Sequence, residues 1–392
     1  MKPSLEVAVI RDPQIFAALE EEWDDLYHNC PRATPYQSWA WLYSWWEAYG
    51  EDYELRLITV RSGEGLLVGL IPLMLERRWG FGKLLLIGAR RASHYLDVLV
   101  RRDWEAEAFK VGVQALEQMD GWHVAELHHI VPTATIWDFL KGWNGPRSVY
   151  QLRGPLWVIE VKPWDELVKA LSKKRRKRVR QTLRRAEEDG VRCVLAGMED
   201  VERAARTLVA LHQEMRRGRH IVPERLTARF ESYTLAAARR LMERGLGGIS
   251  EFWLDGEVIV STFLIFDKDL TVTYMVGANQ EALSRYQWSN LFVWDALNFA
   301  RSRNCAYVSL LSGSEEYKQR WSNIKVPYYR IALSRSPLLG RLYLPVWRGN
   351  RAYGALRSRV RKYLKSDTTP RWVKAAAKLL KLLMGRNAQN PS

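Results

Sequence analysis

Apolar and polar positions follow one another along the chain in two series that predict a similar order of strands and helices. In residues 1–150 the spacing predicts a strand at 5–10, helices at 13–27 and 38–49, a hairpin at 54–75, strands at 83–87 and 95–100, a helix at 104–119 and a strand at 123–127. In residues 151–334 it predicts helices at 164–188, a strand at 191–195, helices at 201–215 and 224–243, a hairpin at 249–266, a strand at 270–277, a helix at 289–301, a strand at 307–311, a short helix at 314–321 and a strand at 328–333. The pattern predicts an α+β protein with mixed sheets and two halves, 1–150 and 151–334.

A third segment, residues 335–392, differs from the rest in charge. The 392-residue chain has a formal net charge of +16, and this segment holds 14 Lys and Arg residues against one acid, Asp367. Two basic amphipathic helices are expected in it, with apolar stripes that include Leu356 in the first helix and Trp372 and Leu380 in the second. We expect the region 351–386 either to lie on an anionic membrane surface or to pack on the body of the protein.

Composition limits the class of protein and its location. A chain that is 47% hydrophobic and 27% charged is ordinary for a globular protein, which excludes a disordered chain or a small disulfide scaffold. Cys30, Cys193 and Cys305 are isolated, and neither an apolar span nor a secretory leader is evident. The expected location is the cytoplasm, and the basic segment would also allow a location at the inner face of the membrane. No metal site is predicted, because the adjacent pair His128-His129 would point to opposite faces of a strand.

The strand predicted at 270–277 and the helix after it carry the strongest functional signal. The strand ends in Gly277, a polar loop follows, and the helix begins near Ser289 and Asn290. The first turn of a helix offers unpaired N–H groups and the positive end of the helix dipole, which suits a pyrophosphate.

Five stretches carry a resemblance to a known family. They are TPYQSWAWLYSWWEAYG (34–50), SHYLDVLV (93–100), LSKKRRKRVRQTLRRAEEDG (171–190), LHQEMRR (211–217) and SLLSGSEEYKQRW (309–321). With the order of elements, they make the chain similar to the cellulose-biosynthesis-type acetyltransferases of the GCN5-related N-acetyltransferase (GNAT) superfamily, and more distantly to the Fem-type aminoacyl transferases. The resemblance implies two tandem GNAT-like halves, with acyl-CoA as co-substrate in the second half.

The resemblance also implies which residues hold the donor. The end of the fourth strand and the start of the next helix would bind acyl-CoA, through Tyr274, Met275, Val276, Gly277, Arg285, Ser289 and Asn290. Trp288 and Asn290 stand where the family's phosphate loop has glycines, and glycine is the residue that lets backbone approach phosphate closely. This departure keeps open a reading in which the fold no longer binds CoA.

Acyl transfer needs a proton acceptor for the nucleophile and a proton donor for the leaving group. Tyr317 is the candidate acid, and Glu251 or Glu315 is the candidate base; the spacing does not select between the two carboxylates. Backbone N–H groups near Val276 could polarise the reacting carbonyl. Lys318, next to the candidate acid, is a candidate substrate ligand.

Two further groups of residues are candidates for acceptor binding. SHYLDVLV reads as a strand that places His94 opposite Tyr95 and Asp97, and the resemblance directs this stretch at the cleft between the halves. The run Lys173–Arg178 puts cations in the first turn of a helix, the unfavourable end of the dipole, so an anionic partner at Arg176 and Arg180 would offset the cost. For the basic helix, the alternative is a solvated face whose charge is balanced by acidic residues later in the helix. For Tyr95 and Asp97, the alternative is a buried, hydrogen-bonded pair.

Together these residues predict transfer of an acyl group, such as acetyl, from acyl-CoA to an amine or hydroxyl of a sugar or polysaccharide precursor. The alternatives are a Fem-type transferase using aminoacyl-tRNA and a non-catalytic, membrane-associated scaffold. Nucleic acid is expected as a partner only if aminoacyl-tRNA is the donor.

Overall fold

The computed structural model describes residues 4–90, 93–216 and 223–349. Its strands are β1 (Leu5–Ile10), β2 (Glu54–Ser62), β3 (Leu67–Arg78), β4 (Phe81–Leu86), β5 (Leu99–Val100), β6 (Val124–Ile130), β7 (Arg147–Gln151), β8 (Leu156–Glu160), β9 (Arg192–Leu195), β10 (Gly247–Leu254), β11 (Glu257–Asp267), β12 (Leu270–Ala278), β13 (Tyr307–Ser309), β14 (Ile324–Val326) and β15 (Tyr329–Ser334). Its α-helices are α1 (Pro13–Ala18), α2 (Glu20–His28), α3 (Trp39–Tyr49), α4 (Glu105–Gln118), α5 (Ile136–Phe139), α6 (Trp164–Ala170), α7 (Lys173–Glu188), α8 (Val201–Met215), α9 (Ala228–Glu243), α10 (Gln280–Arg285), α11 (Trp288–Ser302), α12 (Glu316–Trp321) and α13 (residues 337–349).

The strands form two sheets, each of mixed direction. The first has the order β1-β2-β3-β4-β6-β15-β7, with β5 beside β3, and only its β4–β6 pair is parallel among the described strands. The second has the order β14-β8-β13-β12-β11-β10-β9, and there the described parallel pair is β12–β13. The α+β class with two mixed sheets is thereby confirmed.

Strand β15 links the two halves. The sequence analysis grouped it with residues 151–334, but it lies between β6 and β7 in the first sheet. In this position the side chains of Ile331 and Leu333 are fully buried, and the removal of their apolar surface from water stabilises the pairing of β15 with the first sheet. The division of the chain at residue 150 stays a prediction, and β15 is a strand from the second half that joins the sheet of the first half.

Helix α3 places an aromatic core between the halves. Trp41 and Trp45 are fully buried, and the Trp41 ring contacts Tyr233 of α9 at 5.5 Å and Tyr274 of β12 at 4.8 Å. The tryptophans of α3 are therefore packing residues, as their helical spacing favours over a sugar-stacking role. They fix the first half against the strand that carries the candidate donor site.

The stretch SHYLDVLV departs from the predicted strand. Only Leu99–Val100 pairs as a strand, and Tyr95 has a φ of 52°, so the alternating arrangement of His94, Tyr95 and Asp97 was wrong. The conformation of this stretch depends on contacts with residues that are distant in the sequence. The hydroxyl of Tyr95 lies 2.7 Å from that of Ser309 in the second half.

Asp97 caps a helix. Its carboxylate accepts hydrogen bonds from the backbone N–H groups of Val98 (2.8 Å), Thr135 (2.6 Å) and Ile136 (2.7 Å), the last two at the start of α5. Burial raises the pKa of Asp97 to about 6, although the three donors work in the opposite direction.

Residues 337–349 form helix α13, although the segment contains Pro337, Gly340, Pro345 and Gly349. Leu344 and Trp347 are buried against Ala332 of β15, and the Tyr343 hydroxyl donates to Glu126 at 2.5 Å. These contacts outweigh the propensity of the prolines to end a helix. The helices expected at 351–386 lie outside the described residues.

We predict that Asp97→Ala costs about 3 kcal/mol of stability, because it leaves buried N–H donors unpaired. Urea denaturation measures this change. The matched control is Asp120→Ala, which removes an exposed carboxylate paired with Arg11 and should leave stability nearly unchanged. Equal stability of the two variants would contradict a structural role for Asp97.

Candidate active site

Strands β12 and β13 separate at one end, and the separation opens a cavity. Their parallel pairing covers Leu270–Val272 with Tyr307–Ser309, whereas β12 continues to Ala278. The neighbouring pairing of β12 with β11 shifts register at Tyr274, which is the extra residue of a β-bulge. A bulge increases the local twist of a strand, which helps β12 to turn away from β13. The cavity at the divergence has a volume of about 210 Å³.

The walls of this cavity come from both halves of the chain. They comprise His94 from the first half, and from the second half His212, Met215, Arg216, Arg225, Thr273, Tyr274, Met275, Val276, Trp288, Leu310, Leu311, Ser312, Glu315, Tyr317 and Lys318. The sequence-predicted residues that meet here are therefore His94, Tyr274, Met275, Val276, Glu315, Tyr317 and Lys318.

An ion pair lies at the start of α12. The ammonium of Lys318 donates to the Ser312 carbonyl at 2.6 Å and lies 3.3 Å from the Glu315 carboxylate. Burial lowers the pKa of Lys318, opposed by Glu315. Burial works against the charged form of Glu315, but Lys318 and Arg216 outweigh it and lower its pKa. Glu315 is thus a carboxylate at neutral pH.

Tyr317 belongs to α12, and its side chain packs against the first two turns of α11. Its ring makes edge contacts with Trp288 at 5.7 Å and Phe292 at 5.3 Å. Burial raises the pKa of Tyr317 well above its ordinary value, with a contribution from Glu315. The phenol therefore keeps its proton at neutral pH and can donate it.

A histidine missed by the sequence reasoning anchors the free edge of β12. The Nδ1 of His212 donates to the Val276 carbonyl at 2.7 Å, and the Arg225 guanidinium donates to its Nε2 at 2.8 Å. An arginine cannot accept a hydrogen bond, so these contacts define a neutral imidazole with its proton on Nδ1. Burial and the charge of Arg225 lower the pKa of His212 to about 4. The signal was present in LHQEMRR, which was recognised as a stretch but not assigned a role.

His94 reaches the cavity from the other half. Its Nε2 lies 3.2 Å from the Ser312 hydroxyl, and its Nδ1 is buried without a hydrogen-bond partner. Burial, together with the charges of Lys318 and Arg225, lowers the pKa of His94 to about 3. The imidazole is neutral and has an unused polar atom. Tyr95 lies behind it, at Ser309 of β13.

Several residues predicted to take part lie elsewhere. The Glu251 carboxylate, on β10, makes a bidentate pair with Arg203 at 2.9 and 2.8 Å and is 1% exposed. Two strands separate its position from the gap, so the structure does not bring this candidate base to the cavity. Gly277 packs on α8, where an added Cβ would lie 2.6 Å from the backbone nitrogen of His212.

The start of α11 is closed off by protein contacts. Ser289 and Asn290 are buried, and the Asn290 amide donates to Gln287 Oε1 at 3.1 Å and to Thr182 of α7 at 3.4 Å. Its backbone N–H donates to the Gln287 carbonyl at 2.7 Å. Arg285 pairs with Asp189 at 2.7 Å and with Glu281 at 3.0 Å.

The cationic residues of α7 form a separate surface, outside the cavity. Lys173, Arg176, Lys177, Arg180 and Arg184 line one groove along the helix, at spacings of three and four residues that share a face. The opposite face of α7 buries Val179, Thr182 and Ala186 next to α11. Among the described residues, the first four of these cations make no ion pair. We call this surface the α7 stripe.

Comparisons with known proteins agree with the fold. Residues 173–319, less than half of the chain, match the family model described as an acetyltransferase (GNAT) domain. The crystal structure of FemX is similar with a TM-score of 0.57 and 12% identity, over 85% of this chain and 98% of that chain. A conserved protein of unknown function from Bacteroides thetaiotaomicron VPI-5482 is similar with a TM-score of 0.55 and 11% identity, over 83% of this chain and 100% of that chain. A comparison with curated proteins finds no match.

Residues 173–319 thus match a GNAT-type domain, and the predicted α+β fold class is confirmed. Domains of this kind support acyl transfer in general, and they generally use acetyl-CoA. Among residues 4–90, 93–216 and 223–349, no cluster of three or more His, Cys, Asp or Glu side chains could hold a metal ion. Over the same ranges no helix is both long and apolar enough to cross a membrane.

The described residues fit only part of acyl-CoA. The gap between β12 and β13 can receive an acyl chain, but the turn into α11 offers no open cradle for a pyrophosphate. Trp288 packs on Phe292 and Tyr317, α7 covers Asn290, and Asp189 places a negative charge beside Arg285.

We predict that His212 makes stability depend on pH between 6.5 and 4. The unfolded chain binds a proton at this residue below about pH 6.5 and the folded chain only below about pH 4, so stability falls as pH is lowered through this range. The shift corresponds to about 3 kcal/mol. His212→Asn, which keeps a donor to Val276, should reduce this dependence in urea denaturation and leave the part that the lowered pKa of His94 contributes.

The exposed His28 supplies the control, because His28→Asn should leave the pH dependence unchanged. Parallel profiles for His212→Asn and the unaltered protein would show that His212 is not the neutral, buried group described here.

Proposed function

We propose that the protein is an acyltransferase whose reaction takes place in the cavity between β12 and β13. The observation that carries this proposal is the divergence of the two strands, which brings Glu315, Tyr317 and an edge of β12 to one cavity. The match of residues 173–319 to a GNAT-type domain supports the same class of reaction.

The geometry supports a simple division of roles. In an extended strand the N–H and C=O of one residue point to the same edge, so the Val276 N–H faces the side on which His212 binds its carbonyl. This N–H would stabilise the negative charge that develops on the acyl oxygen. Glu315 would take the proton of an acceptor amine or hydroxyl as its nitrogen or oxygen bonds to the acyl carbon. Tyr317 would protonate the leaving oxygen or sulfur as its bond to the acyl carbon breaks.

The cavity is too small for the carrier of the acyl group. A volume of about 210 Å³ lies below the range of about 300–1,000 Å³ typical of sites that enclose a whole small ligand. The carrier must therefore lie outside the cavity. Helix α7 contacts α11 through its inner face at Asn290, near Trp288, and carries the α7 stripe on its outer face. A row of unpaired cations along several turns suits an extended chain of phosphates better than one pyrophosphate. This favours aminoacyl-tRNA, the donor of the Fem-type alternative, and the similarity of the fold to FemX is consistent with it.

An alternative donor, the acceptor and a non-catalytic role are also proposed. Acyl-CoA is the donor if its phosphates bind the α7 stripe instead of the turn at Ser289, which is what membership of the cellulose-biosynthesis-type family would require. We propose an amine or hydroxyl of a sugar or polysaccharide precursor as the acceptor. A non-catalytic scaffold is the reading that remains if no donor is consumed.

The test of function is donor consumption by the purified protein with glucosamine 6-phosphate as the acceptor probe. Aminoacyl-tRNA and acetyl-CoA are supplied separately, and the acylated sugar is detected by mass spectrometry. Product from aminoacyl-tRNA supports the proposal in full, and product from acetyl-CoA supports the chemistry but overturns the choice of carrier. No product from either donor, across a panel of amino sugars, favours the scaffold.

We predict that Tyr317→Phe lowers kcat about 100-fold or more and leaves KM within about threefold, because it removes the proton donor but keeps the ring against Trp288 and Phe292. Steady-state kinetics with the productive donor measures both constants. Tyr307→Phe, at an exposed tyrosine of β13, is the matched control and should leave both unchanged. A Tyr317→Phe enzyme with full kcat would remove Tyr317 from the reaction.

We predict that replacing Lys173, Arg176, Lys177 and Arg180 together by Gln weakens donor binding and flattens its salt dependence. Each lost phosphate contact reduces the slope of log K against log salt, so four should reduce it by about 3. Gln preserves the helix propensity of α7. Fluorescence anisotropy of labelled tRNA across a salt series measures the slope.

The control for the α7 stripe replaces four exposed cations elsewhere, Arg102, Lys110, Arg239 and Arg301, by Gln. This variant has the same net charge as the first. Equal slopes for the two variants would mean that tRNA senses only the overall charge of the protein, and the stripe would lose its assigned role.

We propose that helix α13 contacts an anionic membrane surface. Leu338, Leu342 and Val346, spaced by four residues, are 71%, 65% and 60% exposed on one face, and Arg341 and Arg348 are exposed beside them. The opposite face is packed on the first sheet. An apolar stripe flanked by cations, at the start of the basic segment 335–392, is suited to the interface of an anionic bilayer.

We predict that replacing Leu338, Leu342 and Val346 together by Ser lowers binding to vesicles containing phosphatidylglycerol at least tenfold, because less apolar surface enters the interface. Vesicle sedimentation measures it. The control replaces Ile15, Leu66 and Leu226, which are also exposed, by Ser and should bind as before. Unchanged binding of the α13 variant would assign any membrane contact to other residues.

A further inference from the structure

The charges that face the cavity do not balance. Three cations line it, Arg216, Arg225 and Lys318, against one described acid, Glu315. Lys318 uses the closer contact to Glu315 at 3.3 Å, and Arg216 lies at 3.6 Å from the same carboxylate. Among the described residues, no carboxylate forms an ion pair with Arg225. The cavity therefore holds an excess of positive charge.

Arg225 is held in place by contacts that do not neutralise it. Its guanidinium donates to the neutral His212 at 2.8 Å and lies over the Phe230 ring at 5.8 Å. Its carbonyl accepts from Gln213 at 3.0 Å. A partly buried guanidinium without a counter-ion is unfavourable unless a ligand supplies the charge. No other described residue accepts a hydrogen bond from this side chain, so its remaining N–H groups can bind such a ligand.

The position of the two arginines separates them from the carrier of the acyl group. Arg216 follows α8 and Arg225 precedes α9, whereas Trp288 and Tyr317 line the cavity from α11 and α12. Helix α7 contacts α11 and carries the α7 stripe on its far face. His94 of the first half joins the wall as a neutral group with an unpartnered Nδ1. An acceptor that meets the acyl group in the cavity would thus contact the arginines while the carrier lies on the α7 stripe.

We propose that the acceptor is an anion, with a phosphate or carboxylate close to its reacting amine or hydroxyl, and that Arg216 and Arg225 bind this group. The proposal rests on the proposed function, because it names the substrate class of the same cavity. Guanidinium groups match the oxygens of both anions in paired, charge-assisted hydrogen bonds. The anion would also bring the nucleophile to the side of the cavity where Glu315 lies.

The test measures binding without any acyl donor, so it does not depend on catalysis. Isothermal titration calorimetry compares glucosamine 6-phosphate with glucosamine, which differ by the anionic group alone. We expect the phosphorylated sugar to bind at least tenfold more tightly, and inorganic phosphate or malonate to compete with it. Competition by phosphate alone or by malonate alone identifies which anion the site prefers, and either supports the proposal.

The variants Arg216→Gln and Arg225→Gln should each weaken the phosphorylated sugar about 10- to 100-fold and leave glucosamine unchanged. Arg216→Lys, which keeps the charge, should recover part of the affinity. The matched control, Arg239→Gln on the exposed surface of α9, should bind as the unaltered protein does. Circular dichroism and thermal unfolding establish that each variant is folded.

Equal binding of the two sugars, or of the sugar phosphate to the Arg239 and Arg225 variants, would overturn the proposal. Tight, arginine-dependent binding in a protein that transfers no acyl group from any donor would support the anion site and count against the proposed function. The two failures are thereby distinguished.

Discussion

The separation of β12 from β13 is the constraint on which the site depends. A parallel pair normally stays in register along both strands, and here three residues of β12 pair before the strands part. The bulge at Tyr274 turns β12, and the His212 imidazole satisfies the Val276 carbonyl on an edge that a neighbouring strand would otherwise cover. A buried carbonyl without such a partner costs free energy, so the open edge needs His212 or an equivalent donor to be stable.

The first half of the chain contributes to the same geometry without supplying the GNAT-type domain. Trp41 of α3 packs on Tyr274 at the bulge, and Tyr95 reaches Ser309 at the point where β13 ends. Both contacts lie where the two strands diverge. Strand β15 then returns the chain to the first sheet after the last element of the cavity. The halves are therefore not independent modules joined by a linker, and the shape of the cavity depends on the aromatic core between them.

The sequence predicted those parts of the site that lie close together along the chain. Tyr317 and Lys318 were found because they lie within one stretch, SLLSGSEEYKQRW, and the start of helix α11 was predicted within one residue. His212 and Arg225 were missed as site residues, because their role depends on Val276, more than fifty residues away, and no local pattern encodes that contact. Glu251 illustrates the converse case: its chemistry suited a base, but only the fold reveals the bidentate contact with Arg203. Periodicity likewise identified β15 as a strand but carried no information on which sheet it would join.

The closure of the α11 N-terminus has a consequence for how a donor is recognised. A glycine-rich turn binds pyrophosphate through fixed backbone N–H groups, which select one geometry. In this chain Trp288 fills that turn with an aromatic contact, and α7 occupies the space above Asn290. In the proposed function, cationic side chains on the outer face of α7 would take the place of these backbone donors as phosphate ligands. Flexible point charges of this kind bind any dense row of phosphates and are strongly weakened by salt, so this arrangement favours an extended polyanionic carrier over a single compact cofactor. The same helix that closes the ordinary cofactor site is thus the element that would admit a larger donor.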